Sequence, residues 1–125
     1  MLFGRDELLH SALKLGARGA VGSTYNFAAP LYQNLIAAFD RGDEPTAVAR
    51  QARAVEMIQA CLNAGGHPIA AFKSLMRRMG IDCGPARLPL TSPTEEQVAN
   101  LHVRLDAIGC LAAPAREARA ALVLS

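Results

Sequence analysis

A mainly helical fold with a small parallel β element at its front is what this sequence predicts. Three observations carry that prediction. Apolar residues recur at helical spacing along most of the 125 residues. Glycine and proline fall where helices stop and start. Two short apolar stretches, residues 1–3 and 19–22, flank a single helix at the spacing of one βαβ unit, whose strands run parallel.

Taken in order, residues 6–16 read as a helix with Leu8, Leu9, Ala12, Leu13 and Leu15 on one broad face, and Gly16 stops it. Gly19-Ala20-Val21-Gly22 reads as a short buried strand. Residues 27–41 return to helix, with Leu31, Leu35, Ile36, Ala38 and Phe39 apolar and Pro30 tolerable only in the first turn. Asp43-Glu44-Pro45 opens the next helix with a cap, an acid and a first-turn proline. It runs to about Ala64, with Val48, Val55, Ile58 and Leu62 as its expected core face, and Gly65-Gly66 ends it. His67-Pro68 starts a helix that Gly80 closes. Residues 81–91, with Gly84, Pro85 and Pro89, read as a connector. Ser92-Pro93-Thr94-Glu95 is a capping box, and the helix behind it buries Val98, Leu101 and Leu105. Residues 113–125 are expected to be a terminal helix or disordered.

Composition narrows the function. With 51% hydrophobic and 19% charged residues, the chain is a globular domain and not a disordered one. The net charge is +2, and the arginines are scattered without a basic run, so no nucleic-acid partner is expected. No apolar stretch has the length of a membrane span, and no membrane partner is expected. At Met1-Leu2-Phe3-Gly4-Arg5 charge follows apolar residues, the reverse of a secretory signal. Cys61, Cys83 and Cys110 are odd in number and widely spaced, which suits free thiols in a reducing cytoplasm. His10, His67 and His102 are solitary, so neither a metal nor another cofactor is expected.

Two parallel strands alone leave both sheet edges open, so the front of the chain reads as part of something larger. Its chemistry-bearing residues sit at the two strand ends. Gly4-Arg5-Asp6-Glu7 lies at a strand-to-helix junction, and Gly22-Ser23-Thr24-Tyr25-Asn26 follows the second strand. Gly4 and Gly22 would let a ligand approach the backbone. Asp6 and Glu7 would accept hydrogen bonds from hydroxyl groups, and Ser23 could donate or accept one. Taken singly, an Asp-Glu pair opening a helix is commonly a capping feature, and Gly-Ser an ordinary turn.

Together the motifs resemble the N-acetylneuraminate lyase branch of the dihydrodipicolinate synthase superfamily. Gly4, Asp6 and Glu7 match its Gly-x-Asp-Glu motif, and Gly22 to Asn26 match its Gly-Ser-Thr-Tyr-Asn motif at the family's spacing. Phe39-Asp40-Arg41-Gly42-Asp43 is similar to its helix break. Gly84-Pro85-Ala86-Arg87-Leu88-Pro89-Leu90 is similar to its Gly-Pro-Pro-Arg-x-Pro-Leu connector. The resemblance covers residues 3 to about 111. It implies a TIM (β/α)8 barrel followed by a bundle of three helices, of which this chain carries the C-terminal part: residues 1–41 as the last βαβα portion, 42–112 as the helical bundle and 113–125 as a tail. A barrel of that kind takes about 250 residues, so this chain could supply only part of one.

The resemblance also implies chemistry next to pyruvate, with a lysine Schiff base whose iminium is the electron sink. It assigns sugar-hydroxyl binding to Gly4, Asp6, Glu7 and Ser23, with Gly22 beside them, and favours a sugar acid as substrate. The family's Schiff-base lysine, its proton-shuttling tyrosine and its carboxylate-binding loop all lie upstream of the matched motifs. The two lysines present, Lys14 and Lys73, both fall mid-helix and read as solvated side chains. Arg5 stands where relatives carry aromatic or hydroxyl residues, and an arginine there could meet a carboxylate or phosphate. The expected function is therefore the substrate wall of a sialic-acid-type aldolase, incomplete alone, joining a missing barrel half or its own copies. The alternative is a non-catalytic helical remnant that self-associates.

Overall fold

The computed structural model describes residues 2–111, and the expected tail at 113–125 lies outside them. A 3-10 turn at Asp6–Leu8 leads into α1 (Leu9–Lys14), followed by α2 (Tyr25–Asp40), α3 (Glu44–Leu62), α4 (Pro68–Arg78) and α5 (Glu95–Ile108). The fold is mainly α, as the periodicity predicts. The parallel pairing of the front is present as a single bridge between Phe3 and Ala20. Phe3 N donates to the Gly19 carbonyl at 3.0 Å, and Val21 N donates to the Phe3 carbonyl at 2.9 Å.

The local signals place the helix ends well. Asp43 Oδ1 accepts from Thr46 N at 3.2 Å, with Pro45 in the first turn of α3. The capping box that opens α5 falls two residues later than expected: Thr94 and Gln97 exchange both bonds, and not Ser92 and Glu95. Between α2 and α3 the chain reverses at Gly42, whose φ of +74° lets Asp43 N reach the Ala38 carbonyl at 2.9 Å. Pro30 lies just past a break in α2, where Ala28 has φ −128° and ψ 25°. The break removes the helical bond that a proline nitrogen could not donate.

α3 lies at the centre and touches every other helix. The core runs from Leu9 through Phe27, Leu31, Leu35 and Met57 to Leu75, Leu101 and Leu105. Its face on α3 differs from expectation. Ala47, Ala54, Met57, Ala60 and Cys61 are buried, whereas Val48 and Leu62 remain 48% and 46% exposed. Ala28 and Ala38 of α2 are also fully buried. Small residues on facing helices let the backbones approach closely, so packing distance outweighs side-chain hydrophobicity. The front differs too. Leu9 and Ala12 are buried, but Leu8 and Leu15 are 45% and 89% exposed. The 3-10 turn advances by 3.0 residues per turn and not 3.6, which shifts the phase of the apolar stripe.

Candidate functional site

The Phe3–Ala20 bridge sets the two motifs side by side, because residues just past paired positions on parallel strands emerge at the same end. Asp6 turns inward there and is 7% exposed. Its Oδ2 accepts from Thr24 Oγ1 at 2.5 Å and from Thr24 N at 3.2 Å. With its proton committed to Asp6, Thr24 Oγ1 accepts from the Tyr32 hydroxyl at 2.7 Å. One carboxylate oxygen is therefore fully held. The other, Oδ1, is buried and has no hydrogen-bond partner among the described residues. The Tyr25 hydroxyl is likewise buried and unpartnered. Burial, then the charge of Asp6, pushes the Tyr25 hydroxyl up to about 12. Burial also raises the Tyr32 hydroxyl. The two rings meet edge to face at 4.3 Å between centroids.

Gly22 and Gly4 play different parts. A Cβ on Gly22 would fall on the Asp6 carboxylate, so only glycine leaves room for it. A Cβ on Gly4 would meet nothing nearer than the Val21 carbonyl, at 3.8 Å. Glu7 points outward and pairs with Arg5 at 2.7 Å. Its own backbone N–H and then the Arg5 guanidinium hold its carboxyl below the ordinary range. Ser23 is exposed, and its carbonyl accepts from Asn26 Nδ2 at 3.0 Å. The structure thus gathers Asp6 and Gly22 into one buried contact and leaves Gly4, Glu7 and Ser23 around it at the surface.

Four contributors were missed from sequence. Thr24 and Tyr25 stand inside the quoted motif, and Tyr32 lies two helical turns beyond Tyr25 on the same face of α2, which is a legible spacing. Gln51 gave no local signal. From α3 its Oε1 accepts from His10 N at 2.8 Å, and its Nε2 donates to the Asp6 carbonyl at 3.1 Å. Glu44 adds a second tie to α1, bonding Lys14 at 2.8 Å and His10 Nε2 at 3.1 Å. Lys14 is thus engaged by Glu44, and Lys73 by the carbonyls of Cys83 and Pro85. Among the described residues, no cluster of three or more His, Cys, Asp or Glu could hold a metal, and no helix is long and apolar enough to cross a membrane.

The dihydrodipicolinate synthetase family model matches residues 1–108, and the chain belongs to that family. It is 39% identical over 115 residues to N-acetylneuraminate lyase of Rattus norvegicus, covering 91% of this chain and 36% of that protein. It is 35% identical to 4-hydroxy-tetrahydrodipicolinate synthase 1 of Streptomyces coelicolor, covering 94% of this chain and 37% of that one. The Proteus mirabilis N-acetylneuraminate lyase structure superposes with a TM-score of 0.81 at 39% identity, over 88% of this chain and 37% of that one. The chain therefore spans about a third of the length of these relatives.

Proposed function

We propose that this chain is the C-terminal portion of a pyruvate-dependent aldolase that cleaves or forms a sialic acid or a related sugar acid. It supplies the wall that holds the substrate's hydroxyl groups, and the Schiff-base lysine comes from barrel strands outside these residues. The carrying observation is the Asp6 carboxylate, which has one oxygen locked by Thr24 and the other buried without a partner. A buried acceptor left unmade costs about 1–3 kcal/mol, which a donating hydroxyl would recover. Gly4, Gly22, Glu7 and Ser23 complete the wall around it. The likeness to the rat and Proteus enzymes supports a sugar acid as the substrate class. Burial pushes the Cys61 thiol up to about 12 and the Cys110 thiol up to about 11, which keeps both protonated at neutral pH.

Two experiments test the reading. Borohydride trapping with pyruvate, followed by intact mass, is expected to leave this chain unmodified; an adduct on Lys14 or Lys73 would overturn the assignment of the lysine elsewhere. Titration with N-acetylneuraminate by NMR is expected to shift resonances around Asp6 in the wild-type chain and not in Asp6→Asn. Identical responses in the two would sink the hydroxyl-wall role.

A second reading has its own observation. Leu2, Leu15 and Val21 at the front are 65%, 89% and 60% exposed, and Leu2 and Leu15 line a cavity of about 360 Å3. Such a surface suits self-association of a non-catalytic module. Light scattering after size exclusion decides it: dimers or higher species that Leu15→Ser dissolves would support this reading, and a monomer at every concentration would exclude it.

A further inference from the structure

A second concavity lies between α4, the connector that follows it and α5. It holds about 620 Å3, and no residue of the Asp6 cluster lines it. That volume is in the range of small-molecule sites, roughly 300–1,000 Å3. Its charge is unusually placed. Lys73 and Arg77 both line it, one helical turn apart on the same face of α4. Like charges at that spacing repel, and neither is closely neutralised. Lys73 Nζ donates to the Cys83 and Pro85 carbonyls at 3.0 Å each, which fixes the ammonium without cancelling its charge. Arg77 has Asp82 at 4.0 Å, beyond hydrogen-bonding distance. Arg78, by contrast, is paired with Asp106 at 2.6 Å and is already spent.

The remaining walls are largely apolar, with Pro85 from the connector and Val98 and Ala99 from α5. His102 also lines the groove, and its Nε2 is shut off from solvent with no partner among the described residues. Glu95 lines it as well and repels a second negative group.

We propose that this groove binds a small organic anion with a single oxyanion head, seated between Lys73 and Arg77, and an apolar body lying along Pro85, Val98 and Ala99. The head is a phosphate or a carboxylate. Glu95 makes polyanions poor ligands. The proposal concerns a site separate from the Asp6 wall and stands or falls without it.

Chemical-shift titration of the full chain tests it with phenyl phosphate, benzoate, inorganic phosphate and benzyl alcohol. Phenyl phosphate or benzoate is expected to shift amides of residues 73–78, 84–86 and 98–102 saturably, and the stronger of the two identifies the head. Benzyl alcohol is expected to bind at least tenfold more weakly, on the order of the loss of a charge-assisted bond. Arg77 is exposed, so Arg77→Ala keeps the fold; it is expected to weaken binding about tenfold, with partial recovery in Arg77→Lys. Non-saturating shifts, shifts spread over all the arginines, or unchanged affinity in Arg77→Ala would overturn the proposal. So would inorganic phosphate or benzyl alcohol binding as tightly as phenyl phosphate.

Discussion

The front of the chain and its helical bundle are stabilised in different ways. The bundle buries its own apolar face: Leu35, Ala54, Met57, Ala71 and Leu105 are almost wholly out of solvent. The front, from Leu2 to Thr24, leaves Leu2, Leu8, Leu15 and Val21 exposed. Beyond Leu9 and Ala12, which are buried, its order rests on directional polar contacts: the Phe3–Ala20 bridge, the Asp6–Thr24–Tyr32 chain and the two ties from α3 through Gln51 and Glu44. Hydrogen bonds fix direction as well as distance, so the region that orients the buried Asp6 carboxylate is one held by hydrogen bonds. The bundle's part is to brace that region from behind.

The contrast can be broken most severely in the bundle. Leu105→Ala opens a cavity at a fully buried position and is expected to cost about 2–5 kcal/mol, read as a lowered midpoint in urea unfolding. Leu15→Ser in the front is expected to change that midpoint by no more than about 0.5 kcal/mol, since the side chain is 89% exposed. Comparable losses in the two would erase the distinction.

A smaller effect separates the two site glycines. Gly22→Ala drives a methyl into the Asp6 carboxylate and is expected to cost about 1–3 kcal/mol. The same change should release the Thr24 amide, seen as faster hydrogen exchange. Gly4→Ala meets only the Val21 carbonyl, at an ordinary contact distance of 3.8 Å, and is expected to lack that steric loss. Thr24→Val tests the polar chain itself. It strips Asp6 Oδ2 of its hydroxyl donor and leaves the Tyr32 hydroxyl unpaired, for an expected loss of about 1–3 kcal/mol in the same denaturant midpoint.

The mildest effect is a dependence on pH. Hydrogen bonds from Lys14 and then His10 lower the Glu44 carboxyl from 4.5. A carboxyl lowered in the folded state adds stability that is present above its unfolded value and is lost as pH falls through the folded one. The thermal midpoint is therefore expected to decline below about pH 4.5, and less steeply in Glu44→Gln. Parallel curves for the two proteins would show that the tie from α3 to α1 contributes nothing.

Much of the helical frame was open to a reading of the chain alone. The Asp43 cap with Pro45 and the reversal at Gly42 act within about five residues, so neighbours in sequence suffice to specify them. The sequence places the box of α5 two residues early, because Ser92 with Glu95 and Thr94 with Gln97 offer the same spacing and only the folded chain chooses between them. The motifs that place Asp6 and Gly22 were legible for the same reason, and so was the parallel sense of the bridge. The buried face of α3 was not. Val48 and Leu62 outrank Ala47 and Ala54 on any hydrophobicity scale, yet the alanines are buried, because the close approach of α2 is a property of two helices together. Nor could the chain alone show which oxygen of Asp6 is held and which is left open. That depends on Thr24, 18 residues away, which holds Oδ2, while Gln51, 45 residues away on α3, holds the Asp6 backbone carbonyl. Local spacing writes the caps, the turns and the motifs; the pairing of distant polar groups exists only once the helices have packed.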